Sequence, residues 1–171
     1  MSDVGAANFE ALLRALRDGG VEFILVGGMA ATAHGSTRLT LDVDIVYRRT
    51  PDNLQRIVTT LKPRSPYLRG APAGLPFLWD AKTLDRGLNF TLTTSLGDLD
   101  LLGEITGGGG YDDLLPHTGE LQLFGIAVRC LKLQKLIAVK RAAGRPKDFD
   151  GIAHLEAILR EQANDVEPRD K

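Results

Sequence analysis

The stretch Leu25–Val46, LVGGMAATAHGSTRLTLDVDIV, decides how the rest of this chain is read. It predicts a strand that runs into Gly27-Gly28, a short helix over Met29–Ala33, a turn-rich loop, and a second strand bearing Asp42 and Asp44. Side chains alternate along a strand, so the two carboxylates share one face while Leu41, Val43 and Ile45 take the other. Like charges side by side on an apolar strand are unfavourable unless a positive group sits between them. A divalent metal is one such group, since Mg²⁺ takes hard oxygen ligands and combines carboxylates with substrate phosphates. A solvated edge strand is the alternative reading of Asp-Val-Asp taken alone.

The glycines upstream favour the first reading. Gly27-Gly28 follows the apolar run Phe23-Ile24-Leu25-Val26, and a strand, glycine turn and helix start in that order present backbone N–H groups to an anion such as phosphate. No third glycine completes a dinucleotide fingerprint, and no Gly-Lys-Ser/Thr completes a P-loop.

The pattern Gly-Gly, thirteen residues, then Asp-x-Asp between hydrophobic residues resembles the signature of the nucleotidyltransferase superfamily, in particular its minimal members. The resemblance implies an α/β (α+β) fold, a mixed β-sheet flanked by helices with further helices at the C-terminus. It implies two Mg²⁺ ions held by three carboxylates, and transfer of a nucleoside monophosphate from a nucleoside triphosphate such as ATP. Asp42 and Asp44 match the first two carboxylates, Gly27 and Gly28 the nucleotide-binding turn, and a third carboxylate is expected from a later strand. The family commonly has Gly-Ser at the turn, and Gly28 stands at the variable position.

Two strands downstream supply that third acid. LNFTLTT, Leu88 to Thr94, alternates, and DLDLLGEI, Asp98 to Ile105, puts Asp98, Asp100 and Leu102 on one face. Asp100 is central among apolar neighbours and has the greater need of a partner, so it ranks before Asp98 as a ligand. Glu104 lies at the far end. The connecting segment Pro63 to Trp79, rich in proline and long for a loop, suits a wall of the site. Arg69 within it is either solvated or a triphosphate or acceptor contact, and Trp79 is expected in the core.

The second informative region is the stretch from Leu136 to Leu155, LIAVKRAAGRPKDFDGIAHL. Leu133, Leu136 and Ile137 form a helical stripe that Lys140 continues, so its ammonium either snorkels at the helix end or meets an anion. Asp148 suits an N-cap of the next helix. This stretch resembles the C-terminal signature of nucleotidyltransferase-like toxins of abortive-infection toxin–antitoxin pairs. The resemblance makes Lys140 a nucleotide contact, Arg145, Lys147 and Asp148 a helix-junction motif, and an antitoxin protein a partner.

The remaining chain is read more briefly. A length of 171 residues fits one domain, here 1–161, with 162–171 as a polar, flexible tail. The composition, 43% hydrophobic and 25% charged with net charge −1, is that of a globular protein without general attraction to nucleic acid. Duplex DNA is therefore not expected as a partner. Cys130, the single cysteine, reads as a buried hydrophobe. No secretion signal or membrane span is apparent, which makes a cytoplasmic enzyme the expectation. Gly107–Gly110 reads as a flexible connection and Gly119–Leu131 as a hairpin. The acceptor hydroxyl is left open between a protein, an RNA end and a small aminoglycoside-like molecule. A non-catalytic nucleotide-binding regulatory module is the alternative to an enzyme.

Overall fold

A computed structural model describes residues 7–166. Helix α1 (Phe9–Asp18) buries Leu12, Leu13 and Leu16, and the Asn8 side chain caps its start by accepting from the Ala11 N–H. Strand β1 (Phe23–Val26) is buried on both faces and leads directly into α2 (Gly27–Ala33). β2 (Asp42–Tyr47) follows, then α3 (Pro51–Leu61), which begins with proline and is capped by Thr50. The segment beyond contributes β3 (Tyr67–Leu68) and α4 (Ala81–Arg86) before the paired strands β4 (Asn89–Thr94) and β5 (Gly97–Leu102).

After Gly103 the chain leaves the main sheet. β6 (Glu104–Ile105) and β7 (Gly109–Gly110) form a small hairpin, followed by α5 (Tyr111–Leu114). The glycine run is therefore part of a hairpin, contrary to the expectation of a loose connection. A Cβ on Gly109 would crowd the Asp113 carboxylate, so this glycine allows a tight approach. β8 (Thr118–Leu123) and β9 (Ile126–Leu131) make the expected hairpin, with Phe124 and Gly125 both at positive φ in its turn. α6 (Leu133–Ala143) and α7 (Phe149–Val166) complete the chain. α7 extends to Val166, and positions 167–171 of the expected tail lie outside the described residues.

The main sheet has seven strands in the order β3-β4-β5-β2-β1-β9-β8. β2 pairs in parallel with β5 and β1 with β9, whereas the other neighbours are antiparallel. The fold is thus a mixed sheet flanked by helices, with α6 and α7 as C-terminal helices. Val43, Ile45, Leu99 and Leu101 are fully buried in the same core as the stripes of α1 and α3. Leu41, expected on that apolar face, is 75% exposed, because β2 begins one residue later and the preceding bend turns the side chain outward.

One buried polar residue fixes the strand entry points. Asn53 on α3 is fully buried, accepts from the Glu22 N–H, and donates to the carbonyls of Glu22 and Arg48. It thereby ties the approach to β1 to the exit of β2. Truncation would strand the Glu22 N–H and the Arg48 carbonyl, each costly to leave unpaired, while the Glu22 carbonyl would keep its bond from the Arg48 N–H. Asn53→Ala should lower the unfolding free energy by about 2–4 kcal/mol. Urea denaturation monitored by circular dichroism would test this, and a loss within experimental error would show that the three bonds are dispensable.

Candidate metal and nucleotide site

Strand pairing places four aspartates on one patch. Because β2 and β5 are parallel, Asp42 stands opposite Asp98 and Asp44 opposite Asp100. Asp42, Asp44 and Asp100 can each offer a carboxylate oxygen within 4.8 Å of the others. The structure thus brings together the three acids singled out in the sequence, separated by 56 positions between Asp44 and Asp100.

The glycine turn is shaped around this patch. Gly27 has φ +65°, and a Cβ there would overlap the Asp44 carboxylate, so both conformation and space require glycine. Val26 is paired with Asp44, which brings the end of β1 directly beside the acid. At position 28 a Cβ would lie 2.6 Å from the Thr40 hydroxyl. A serine at this position would therefore crowd Thr40, whose Oγ1 donates to the Asp42 carbonyl at 3.0 Å. Thr40 carries no pattern in the sequence that would have marked it.

Arg69 has the least expected position. It follows β3, the edge strand paired with β4, and its own N–H donates to the Thr91 carbonyl. From there its guanidinium reaches over the acidic patch. Nη2 lies 2.9 Å from Asp100 and 2.8 Å from the Leu92 carbonyl, Nε 3.2 Å from Asp98, and Nη1 3.8 Å from Asp42. The long loop is ordered by Tyr67, Phe77 and Trp79, whose rings pack in series. Trp79 packs against the core as expected, and its indole N–H donates to the Val58 carbonyl.

The carboxylates remain under electrostatic strain in spite of Arg69. Burial, then the charges of Asp42 and Asp100 and a hydrogen bond with Asp100, push the Asp44 carboxyl up to about 8, against the opposing pull of Arg69. Asp42 is also raised, first by burial and then by Asp100, while Arg69 and Lys147 oppose the rise. Asp44 Oδ1 is buried with no hydrogen-bond partner. An orphaned carboxylate oxygen among hard oxygen donors fits a divalent cation of the Mg²⁺ type.

Facing the acids is a cationic wall. A cleft of about 300 Å³ runs between Asp44 and Asp100 on the sheet side and Lys140 and Arg145 on the helical side, with Gly27, Asn89 and Glu104 also lining it. Lys140 is half-buried and borders a second hollow beside Gly28, Ser36 and Arg38. α6 ends at Gly144 in the left-handed conformation, φ +63°, which aims the chain into the α6–α7 junction. Arg145 Nε donates to Asp148 Oδ2 at 2.7 Å. Asp148 is buried and lies in a 3₁₀ turn ahead of α7; in place of the expected cap it orients Arg145.

No family model matches the chain, and no curated protein matches it in sequence. Solved structures do match in fold. The lincosamide antibiotic adenylyltransferase LnuA, with lincomycin bound, has a TM-score of 0.59 at 16% identity, over 88% of this chain and 95% of its own. A candidate nucleotidyltransferase from Thermotoga maritima has a TM-score of 0.53 at 14% identity, over 90% of this chain and 93% of its own. The chain has a nucleotidyltransferase-like fold.

The strained carboxyl predicts a pH dependence. With its pKa raised from 3.8 to about 8, folded Asp44 keeps a proton that the unfolded chain has lost, so its contribution to stability falls as pH rises from about 4 to about 8. Asp44→Asn removes this penalty. In chelator at pH 8.5 the variant should melt roughly 3–6 °C above the parent, as about 1–2 kcal/mol gives in a chain of this size, and the gap should narrow toward pH 5. Scanning calorimetry across this range would refute the assignment if the gap did not change with pH.

Proposed function

We propose that this protein is a metal-dependent nucleotidyltransferase that passes a nucleoside monophosphate from a nucleoside triphosphate to a hydroxyl of a small molecule. The observation that carries the reading is one cleft lined by Asp44 and Asp100, two of the three clustered carboxylates, together with the cations Lys140 and Arg145. Triphosphate-dependent transfer needs both kinds of group, one for a cation and one for the phosphates it accompanies.

Asp42, Asp44 and Asp100 would hold a divalent cation, and in the two-ion form of the reaction a second. When bound, it polarises phosphoryl oxygens and lowers the pKa of a coordinated hydroxyl. The chain's own groups supply the rest. Gly27 and Gly28 let the triphosphate approach the backbone without a side chain in the way. Lys140 neutralises phosphate charge as a compact ammonium on a flexible stem, and Arg145, oriented by Asp148, offers a planar fork. The acceptor hydroxyl gives up its proton to solvent as its oxygen forms a bond to the α-phosphorus, the bond from the α-phosphorus to the bridging oxygen breaks, and pyrophosphate leaves.

A small acceptor is supported by the cleft, whose volume of about 300 Å³ sits at the lower end of small-molecule sites. It is also in keeping with the likeness to LnuA, an adenylyltransferase of an antibiotic. A second reading, a toxin that modifies a protein or an RNA end and is held by an antitoxin, draws on the resemblance of Leu136–Leu155. No described helix is long and apolar enough to cross a membrane. Action in the cytoplasm, where nucleoside triphosphates are supplied, accompanies either reading.

Two measurements test these roles. Incubation with Mg²⁺, α-labelled ATP or another triphosphate, and a panel of hydroxyl-bearing antibiotics should label a small product. Asp42→Asn and Asp44→Asn should each abolish that labelling while remaining folded. Label recovered only in RNA or protein would favour the toxin reading, and full transfer by both variants would exclude the carboxylate roles. For Lys140→Met, calorimetric titration with a non-hydrolysable triphosphate should show affinity weaker by roughly tenfold or more, as loss of a charge-assisted bond worth about 1.5–3 kcal/mol implies. Its melting temperature should stay near that of the parent, because Met retains the apolar stem. Unchanged affinity would place Lys140 outside the phosphate site.

A further inference from the structure

Four aspartates share the patch, yet only three form the metal-type group. Asp98 is left over, and it faces Arg69 Nε at 3.2 Å. The guanidinium itself is distributed unevenly. Nη2 contacts Asp100 and the Leu92 carbonyl, while Nη1 stands 3.8 Å from Asp42, an ion-pair distance without a hydrogen bond. Nε is buried and has no aligned acceptor, although the Asp98 carboxylate is within reach. Arg69 therefore occupies charge that a cation would use, through contacts that are incomplete on two of three sides.

We propose that Arg69 is a positioning residue that competes with the divalent cation for Asp42 and Asp100, and that Asp98 retains the guanidinium at the edge of the site when the cation takes its place. This rests on the nucleotidyltransferase reading above. The physical ground is charge. A guanidinium and a divalent ion cannot both lie close to the same carboxylates without mutual repulsion, and the half-buried setting screens them only partly. A backbone anchor at Leu92 and the acid at Asp98 keep Arg69 nearby, so the exchange needs a short movement of one side chain and no change in the sheet. In the absence of the cation, the same contacts hold the like-charged strands β2 and β5 in register.

The test uses Mn²⁺, followed by the electron paramagnetic resonance of the free ion, at pH 8 and low ionic strength. Arg69→Met should bind Mn²⁺ about tenfold more tightly than the parent, and Arg69→Lys, which keeps the charge, should lie close to the parent. In chelator Arg69→Met should melt lower than the parent, and Mn²⁺ should raise its melting temperature by more. Affinity in Arg69→Met equal to or weaker than the parent would overturn the proposal. Should the variant not fold, the parent itself decides. The Arg69 Nε–H resonance should shift on saturation with Mg²⁺, and an unmoved resonance would overturn the proposal equally. Asp44→Asn separates the two layers of inference. If it abolishes Mn²⁺ binding while Arg69→Met leaves affinity unchanged, the carboxylate site stands and only the competition fails. If neither the parent nor Arg69→Met binds Mn²⁺, both fall.

Discussion

The rest of this structure depends on the parallel pairing of β2 with β5, which sets Asp42 beside Asp98 and Asp44 beside Asp100. Unpaired, such a patch would push the two strands apart, since like charges directly opposite one another destabilise a sheet. The protein holds it in three ways. Fully buried Val43, Ile45, Leu99 and Leu101 anchor the reverse face in the core. Arg69 brings one positive charge over the acids. Asp44 takes up the remaining imbalance by holding a proton up to about pH 8. The concentrated negative charge is thus a maintained feature of the fold, and it gives a hard cation a place to bind.

The elements around the patch serve its shape and its electrical contrast. Gly27 removes the side chain that would collide with Asp44, and Thr40 braces the start of β2 through the Asp42 carbonyl. Asn53 fixes where β1 begins and β2 ends, so the acids arrive in register. Across the cleft, α6 supplies Lys140 from the end of an apolar stripe, and the turn at Gly144 lets Arg145 fold onto buried Asp148. Acidic and basic side chains that line one cleft set opposite potentials within it. This contrast is a better guide to chemistry than the fold, which hosts the observed likenesses at 14% and 16% identity only.

Much of this arrangement was legible in the sequence alone. Strand parity determined that Asp42 and Asp44 share a face, and the same parity applied to DLDLL for Asp98 and Asp100. Helical spacing determined the buried stripes of α1, α3 and α6 and put Lys140 at the end of the last one. The like-charge strand even required a positive partner, although nothing in the sequence said which. These are local properties, fixed by the two periodicities of the backbone.

Tertiary structure decided the rest, because it depends on which distant segments meet. Register between β2 and β5 set Asp100 opposite Asp44 and so assembled the three-carboxylate group, for which its apolar neighbours in the sequence already favoured Asp100 over Asp98. The docking of β3 on β4 brought Arg69 to the acids across 31 positions from Asp100, and no periodicity in the proline-rich loop encodes that reach. Burial turned Asn53 and Asp148 from ordinary polar residues into connectors, while the bend before β2 put Leu41 into solvent. A sequence determines the face on which a side chain lies, through bond geometry that acts over a few residues. Its partner is chosen by long-range packing, in which the entropy of closing each loop is offset only when the whole sheet assembles.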